Sequence, residues 1–178
     1  ASDVYKRQVW DRDVARYLNS DAIPLYNPIE EYLNSTGHWD GKDRIRALAD
    51  LVPCNNPYWR ELFYRWFLSM TAHWQNIDRQ HGNNTSPLLV GAQGYRKSTF
   101  CRILLPPELR FGYTDSIDFK SKQDAERSLG RFFLINIDEF DQISVNQQGF
   151  LKHLLQKPVA NLRKPYGTAI QELSLIHI

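Results

Sequence analysis

The sequence predicts an α/β fold: a helical front, then a nucleotide-binding core with a parallel sheet flanked by helices. Three observations predict it. Residues 9–80 carry apolar side chains at helical spacing. From residue 87 onward, short apolar runs alternate with helical stretches. Between the first such run and the next helix lies "GAQGYRKST", residues 91–99, in the strand–loop–helix setting of a phosphate-gripping loop.

The helical front opens with "WDRDVARYL". Asn27-Pro28 reads as an N-cap followed by proline at the first helical position, with Ile29, Tyr32 and Leu33 on one apolar face and Gly37 as the stop. Asp40-Gly41 marks a turn into a helix that places Ile45, Leu48 and Leu51 inward. Pro57 opens a longer helix, in which Trp59, Phe63, Trp66, Phe67, Met70 and Trp74 recur at helical spacing. That spacing reads as a buried face rather than a stacking platform for bases. The loop "DRQHGNNTSP" separates this front from the core, residues 81–172.

In the core, "PLLVG" reads as a buried strand and "KSTFCRILL" as a helix ended by Pro106-Pro107. "SKQDAERSLG" is a helix closed by Gly130, and "RFFLINI" is a second buried strand. "NQQGFLKHLLQ" is helical, and "VANLRKPYGTAIQEL" reads as strand, turn, strand.

The chain has 178 residues, 42% hydrophobic and 24% charged, with a net charge of +2. That is enough for one core, and it gives no broad basic field for nucleic acid, so any such contact needs a local patch. Cys54 and Cys101 lack metal-like spacing and fit a reduced, cytoplasmic setting. No apolar run approaches the roughly 20 residues of a membrane helix.

The loop has a chemical logic. Gly91 permits a sharp turn, and Gly94 permits positive φ. Amides from Gly94 through Tyr95, Arg96 and Lys97 to Ser98 are then free to point at phosphate oxygens. Lys97 is the expected partner of the β- and γ-phosphates of ATP, and Ser98 of Mg²⁺. Arg96 stands where the second glycine of such a loop belongs. At the start of a helix it is expected in right-handed geometry, with its side chain outside the loop and its cation near the phosphates.

Acid is supplied where "RFFLINI" runs into Asp138-Glu139. Alternation along a strand sends the two carboxylates to different sides. Asp138 is the expected ligand of Mg²⁺ and its waters, and Glu139 the group that polarises an attacking water. Asp141 reads as a cap or turn residue. Arg163, beside Lys164-Pro165-Tyr166-Gly167, has three readings: a cation for a neighbouring subunit's γ-phosphate, a nucleotide sensor in its own subunit, or a DNA phosphate contact.

Together "NPIEEYLNSTGHWDGKDRIRALADLV", the G-x-Q-G-x-x-K-S-T-F loop, "FFLINIDEFD" and "LRKPYG" resemble the virulence-associated protein E family, which is similar to primase-associated superfamily III helicases of phages and mobile elements. The resemblance covers about Asn27 to Gly167. It implies an AAA+-like ATPase core, DNA-dependent ATP hydrolysis, a homo-oligomeric ring and a fused or associated primase. It carries Gly91, Gln93, Gly94, Lys97, Ser98 and Thr99 to the phosphate loop and Glu139 to the catalytic acid. Arg163 and Tyr166 match the family's basic-Pro-Tyr-Gly segment. Arg96 departs from the family's glycine. The resemblance also implies a further strand after the hairpin, ending in a polar sensor and lying between the loop strand and the Asp-Glu strand. Without it, unpaired buried groups cost on the order of 1–3 kcal/mol each, and the 178-residue chain is expected to be poorly active or insoluble.

The ends carry a separate expectation. "DVYKRQ" at residues 3–8 and "LSLIHI" at 173–178 can be encoded by one DNA sequence read in opposite orientations. They resemble a translated sequencing-library adapter, so residues 1–8 and 173–178 are expected to be artefactual tails on an interior fragment. Without them the net charge is +1.

These features point to the ATPase core of a DNA helicase or translocase acting on single-stranded or forked DNA. A nucleotide-dependent DNA-binding or assembly module without productive hydrolysis is the alternative. A kinase needs an acceptor pocket that no motif here supplies.

Overall fold

The computed structural model describes residues 10–18, 20, 22, 26–75, 77, 85–119, 121–138, 143–156, 159–163 and 170–174, the backbone alone from residue 156 onward. Seven α-helices are described: α1 (Asp11–Leu18), α2 (Pro28–Ser35), α3 (Arg44–Ala49), α4 (Trp59–Trp74), α5 (Lys97–Ile103), α6 (Lys122–Arg131) and α7 (Val145–Gln156). A 3-10 helix spans Pro107–Gly112. Two short strands, β1 (Tyr113–Thr114) and β2 (Leu134–Ile135), pair in parallel. Two more, β3 (Val159–Arg163) and β4 (Ile170–Ser174), form an antiparallel hairpin. The fold is therefore mixed, mostly helical, around a small parallel sheet.

Local chemistry sets the helix starts. Asn27 Oδ1 accepts from the amides of Ile29 and Glu30, at 3.1 and 3.3 Å, and Pro28 follows at the first position. Asp43 caps α3 by accepting from the Arg46 amide at 2.9 Å. Ser121 caps α6. Ser144 and Gln147 form a reciprocal capping box at α7: the Ser144 amide donates to the Gln147 side chain, and the Gln147 amide donates to Ser144 Oγ.

α4 carries the main core. Phe63, Trp66, Met70 and Trp74 are buried, and Trp59 and Phe67 pack against them, as the helical spacing predicts. Ile29, Ala49, Leu104, Leu105, Leu109 and Leu134 complete this cluster, so the helical front and the residues after the loop share one core. Leu33 and Leu51, expected inward, are exposed: Leu51 falls two residues past the end of α3, and Leu33 lies in the last turn of α2.

β2 divides the interior. Leu134 faces the α4–α5 cluster, while Ile135 joins Ala125, Leu129 and Leu154 of α6 and α7. Strand alternation explains the split. Gly112 lets β1 approach its neighbour: its carbonyl accepts from the Phe133 amide at 2.7 Å, and a Cβ there would overlap the Phe133 ring.

Two strand expectations need correction. "PLLVG" forms no strand. Residues 85–92 have no regular pairing, and Leu88 and Val90 are 65% and 88% exposed. A strand needs a partner for its backbone groups, and among the described residues none pairs with this segment. "RFFLINI" shortens to Leu134–Ile135, because β1 offers only two residues for it to pair with, although the Asn136 amide adds one more bond to Thr114 O. The helices at 97–103, 122–131 and 145–156 and the 159–174 hairpin follow their expectations. Residues 1–8 and 175–178 of the expected tails lie outside the described residues, while Leu173 and Ser174 continue β4.

Candidate functional site

The loop 91–96 links a largely exposed, unpaired segment to α5. Gly94 takes φ +90°, the positive φ its glycine permits. Arg96 departs from expectation: its φ and ψ are 56° and 30°, left-handed rather than right-handed. The reversal into α5 requires that geometry at this point, which is why a glycine serves there in the usual loop. The Arg96 carbonyl accepts the first helical bond, from the Phe100 amide at 2.9 Å. The Tyr95 ring lies over Gly91, 3.3 Å from where a Cβ would stand.

Lys97, the first residue of α5, turns back into the loop. Its Nζ donates to the Gly91 and Ala92 carbonyls at 2.8 and 3.0 Å. The ammonium thus occupies the concave side of the turn. One residue on, Ser98 Oγ donates to Asp138 Oδ2 at 2.9 Å. Forty residues of chain separate these two side chains. α5 and the end of β2 bring them together.

Asp138 follows β2 on the face shared by Leu134 and Asn136, which is the face turned to α5. Beneath it, burial and then the Asp138 charge push the Cys101 thiol up to about 11. Burial also raises the Tyr113 hydroxyl to about 12, with smaller contributions from Cys101 and Asp115. The Asn136 amide sits beside that hydroxyl and partly offsets its rise. These polar neighbours were missed in the sequence. Asn136 was legible, since it stands two residues before Asp138 in a strand. Tyr113 was not, because β1 gave no periodic signal. On the other side of Asp138, the carboxyl ends of β1 and β2 frame a half-open cavity of about 270 Å³ lined by Asp115, Ile117, Phe119, Ile137, Asp138 and Gln147.

Of the predicted residues, Gly91, Gln93, Gly94, Tyr95, Arg96, Lys97, Ser98 and Thr99 form the continuous loop and helix start. Ser98 and Asp138 meet directly. Glu139, Asp141, Lys164 and Tyr166 lie outside the described residues. Arg163 is described by its backbone alone, in β3 opposite Ile170. Among the described residues no cluster of three or more His, Cys, Asp or Glu side chains is arranged to hold a metal. A hydroxyl beside one carboxylate still suits magnesium, which keeps waters and takes substrate phosphates as ligands.

Fold and site define a mixed, mostly helical protein with a small two-stranded parallel sheet, in which the residue after a lysine-bearing turn bonds the carboxylate that follows β2. A family model for the virulence-associated protein E-like domain matches residues 33–174, more than three quarters of the chain. The chain belongs to the virulence-associated protein E-like family. No curated protein gives a significant match. Among the described residues no helix is long and apolar enough to cross a membrane.

Proposed function

We propose that this chain is the ATP-binding and hydrolysing core of a DNA helicase or translocase used in replicating a phage or mobile element. The observation that carries this reading is the 2.9 Å bond between Ser98 and Asp138. It joins the loop to the strand-end acid, the pairing a magnesium–triphosphate site needs. Family membership supports the association with phages and mobile elements.

In this reading Lys97 leaves the Gly91 and Ala92 carbonyls and neutralises the β- and γ-phosphates. Loop amides from Gly94 to Ser98 orient the triphosphate. Ser98 and Asp138 would hold Mg²⁺, which supplies charge neutralisation at the β- and γ-oxygens when bound. Glu139 orients a water for in-line attack on the γ-phosphate. Arg163 of a neighbouring copy stabilises the charge that develops, in a homo-oligomeric ring tracking single-stranded or forked DNA. A primase on the same polypeptide or beside it would supply primers, and the cytoplasm is the natural compartment for such a motor.

The alternative, a nucleotide-dependent DNA-binding or assembly module without productive hydrolysis, is favoured by one observation: left-handed Arg96 in place of glycine. Calorimetric titration with ATP and Mg²⁺ tests the site itself. Micromolar binding is expected, with a loss of at least tenfold in Lys97→Ala and no change in fold by circular dichroism. Binding unaffected by that change rules the site out. Phosphate release stimulated by single-stranded DNA and lost in Glu139→Gln distinguishes the motor from the module.

A further inference from the structure

Arg96 is the one described residue other than glycine with positive φ. A side chain is strained in that conformation, and glycine is not. The residue is exposed, and among the described residues no ion pair engages its guanidinium. Its neighbour Lys97 has turned inward and spends its donors on two loop carbonyls. The cation that this loop presents to solvent is therefore that of Arg96, not of Lys97.

We propose that Arg96 is a phosphate-capturing residue: its guanidinium meets the terminal phosphates of an incoming triphosphate before Lys97 leaves its carbonyls. This rests on the nucleotide reading above and deepens it. A guanidinium fork matches two phosphate oxygens, and it holds its charge at every working pH. An exposed cation at the mouth of a site accelerates the arrival of a polyanion, and salt weakens that effect. Lys97 then makes the lasting contact. Capture divides the labour between two adjacent cations, and it sets an arginine in the left-handed geometry that the turn into α5 imposes.

The test uses inorganic tripolyphosphate as the probe, with stopped-flow association and melting temperature as readouts, on the full chain. Arg96→Gly should melt higher, because strain is relieved, yet associate about tenfold more slowly at low salt. Its rate should also depend less steeply on salt. Arg96→Ala should associate as slowly as Arg96→Gly without the gain in melting temperature. Arg96→Lys should keep most of the rate. Arg96→Gly associating as fast as wild type overturns the proposal, and so does a clear difference in rate between the Gly and Ala variants, which would assign the effect to loop stiffness. Lys97→Ala separates the two claims. If it abolishes binding while Arg96→Gly behaves as wild type, capture fails and the nucleotide site stands. If wild-type chain binds no tripolyphosphate, both fail.

Discussion

Two buried indoles on α4 differ in one respect. Trp74 Nε1 donates to the Phe133 carbonyl at 3.0 Å, tying α4 to the residue before β2. Trp66 Nε1 is equally hidden but meets no acceptor among the described residues. A buried donor left unpaired is costly, whereas removing it with its N–H is cheap. Trp74→Phe is therefore expected to destabilise more than Trp66→Phe, by about 1–2 kcal/mol in urea denaturation. The cysteines divide in a similar way. Cys54 is exposed, while Cys101 is half-buried beside Asp138 with its thiol raised to about 11. At pH 8 a disulfide dye should label Cys54 at least an order of magnitude faster. Labelling at equal rates would mean that α5 is not packed as described.

Single elements show where the sequence was readable and where it was not. Helix starts were legible because caps are local: Asn27-Pro28 needs nothing beyond its own turn. Strands were not, because a strand exists only with its partner. β1 carries no pattern of its own and is defined by Gly112, whose bare α-carbon admits Phe133. Gly112→Ala should therefore cost about 1–3 kcal/mol by overpacking and lower the melting temperature, although no turn geometry demands glycine there. The loop into α3 gives a pH prediction. Asp40 accepts from both terminal nitrogens of Arg44, at 2.6 and 2.7 Å, and this pairing lowers its carboxyl from 3.8 to about 2. A lowered carboxyl stabilises the folded state above its unfolded value and loses that effect as pH falls. Wild type should melt above Asp40→Asn at pH 6, and the two should converge as pH falls towards 2. A constant difference across that range would mean the ion pair is not the cause.

At the scale of the whole molecule, the candidate site was more legible than the sheet that supports it. Motif spacing named Lys97, Ser98 and Asp138, and packing brings Ser98 and Asp138 to 2.9 Å. Arg96 was misread, because the sequence alone does not reveal where the chain must reverse. The sharing of one core between α2–α4 and the residues around β2 was also hidden, since apolar periodicity shows a face but not what covers it. Most important for handling the protein is the unpaired segment before the loop, where Leu88 and Val90 meet water. Branched side chains on an unpaired backbone form a sticky edge. Dye fluorescence that reports solvent-facing hydrocarbon should be high in the native protein and fall in Val90→Lys. Light scattering in concentrated samples should fall with it, so the segment that leads into the 91–96 loop doubles as a route to self-adhesion.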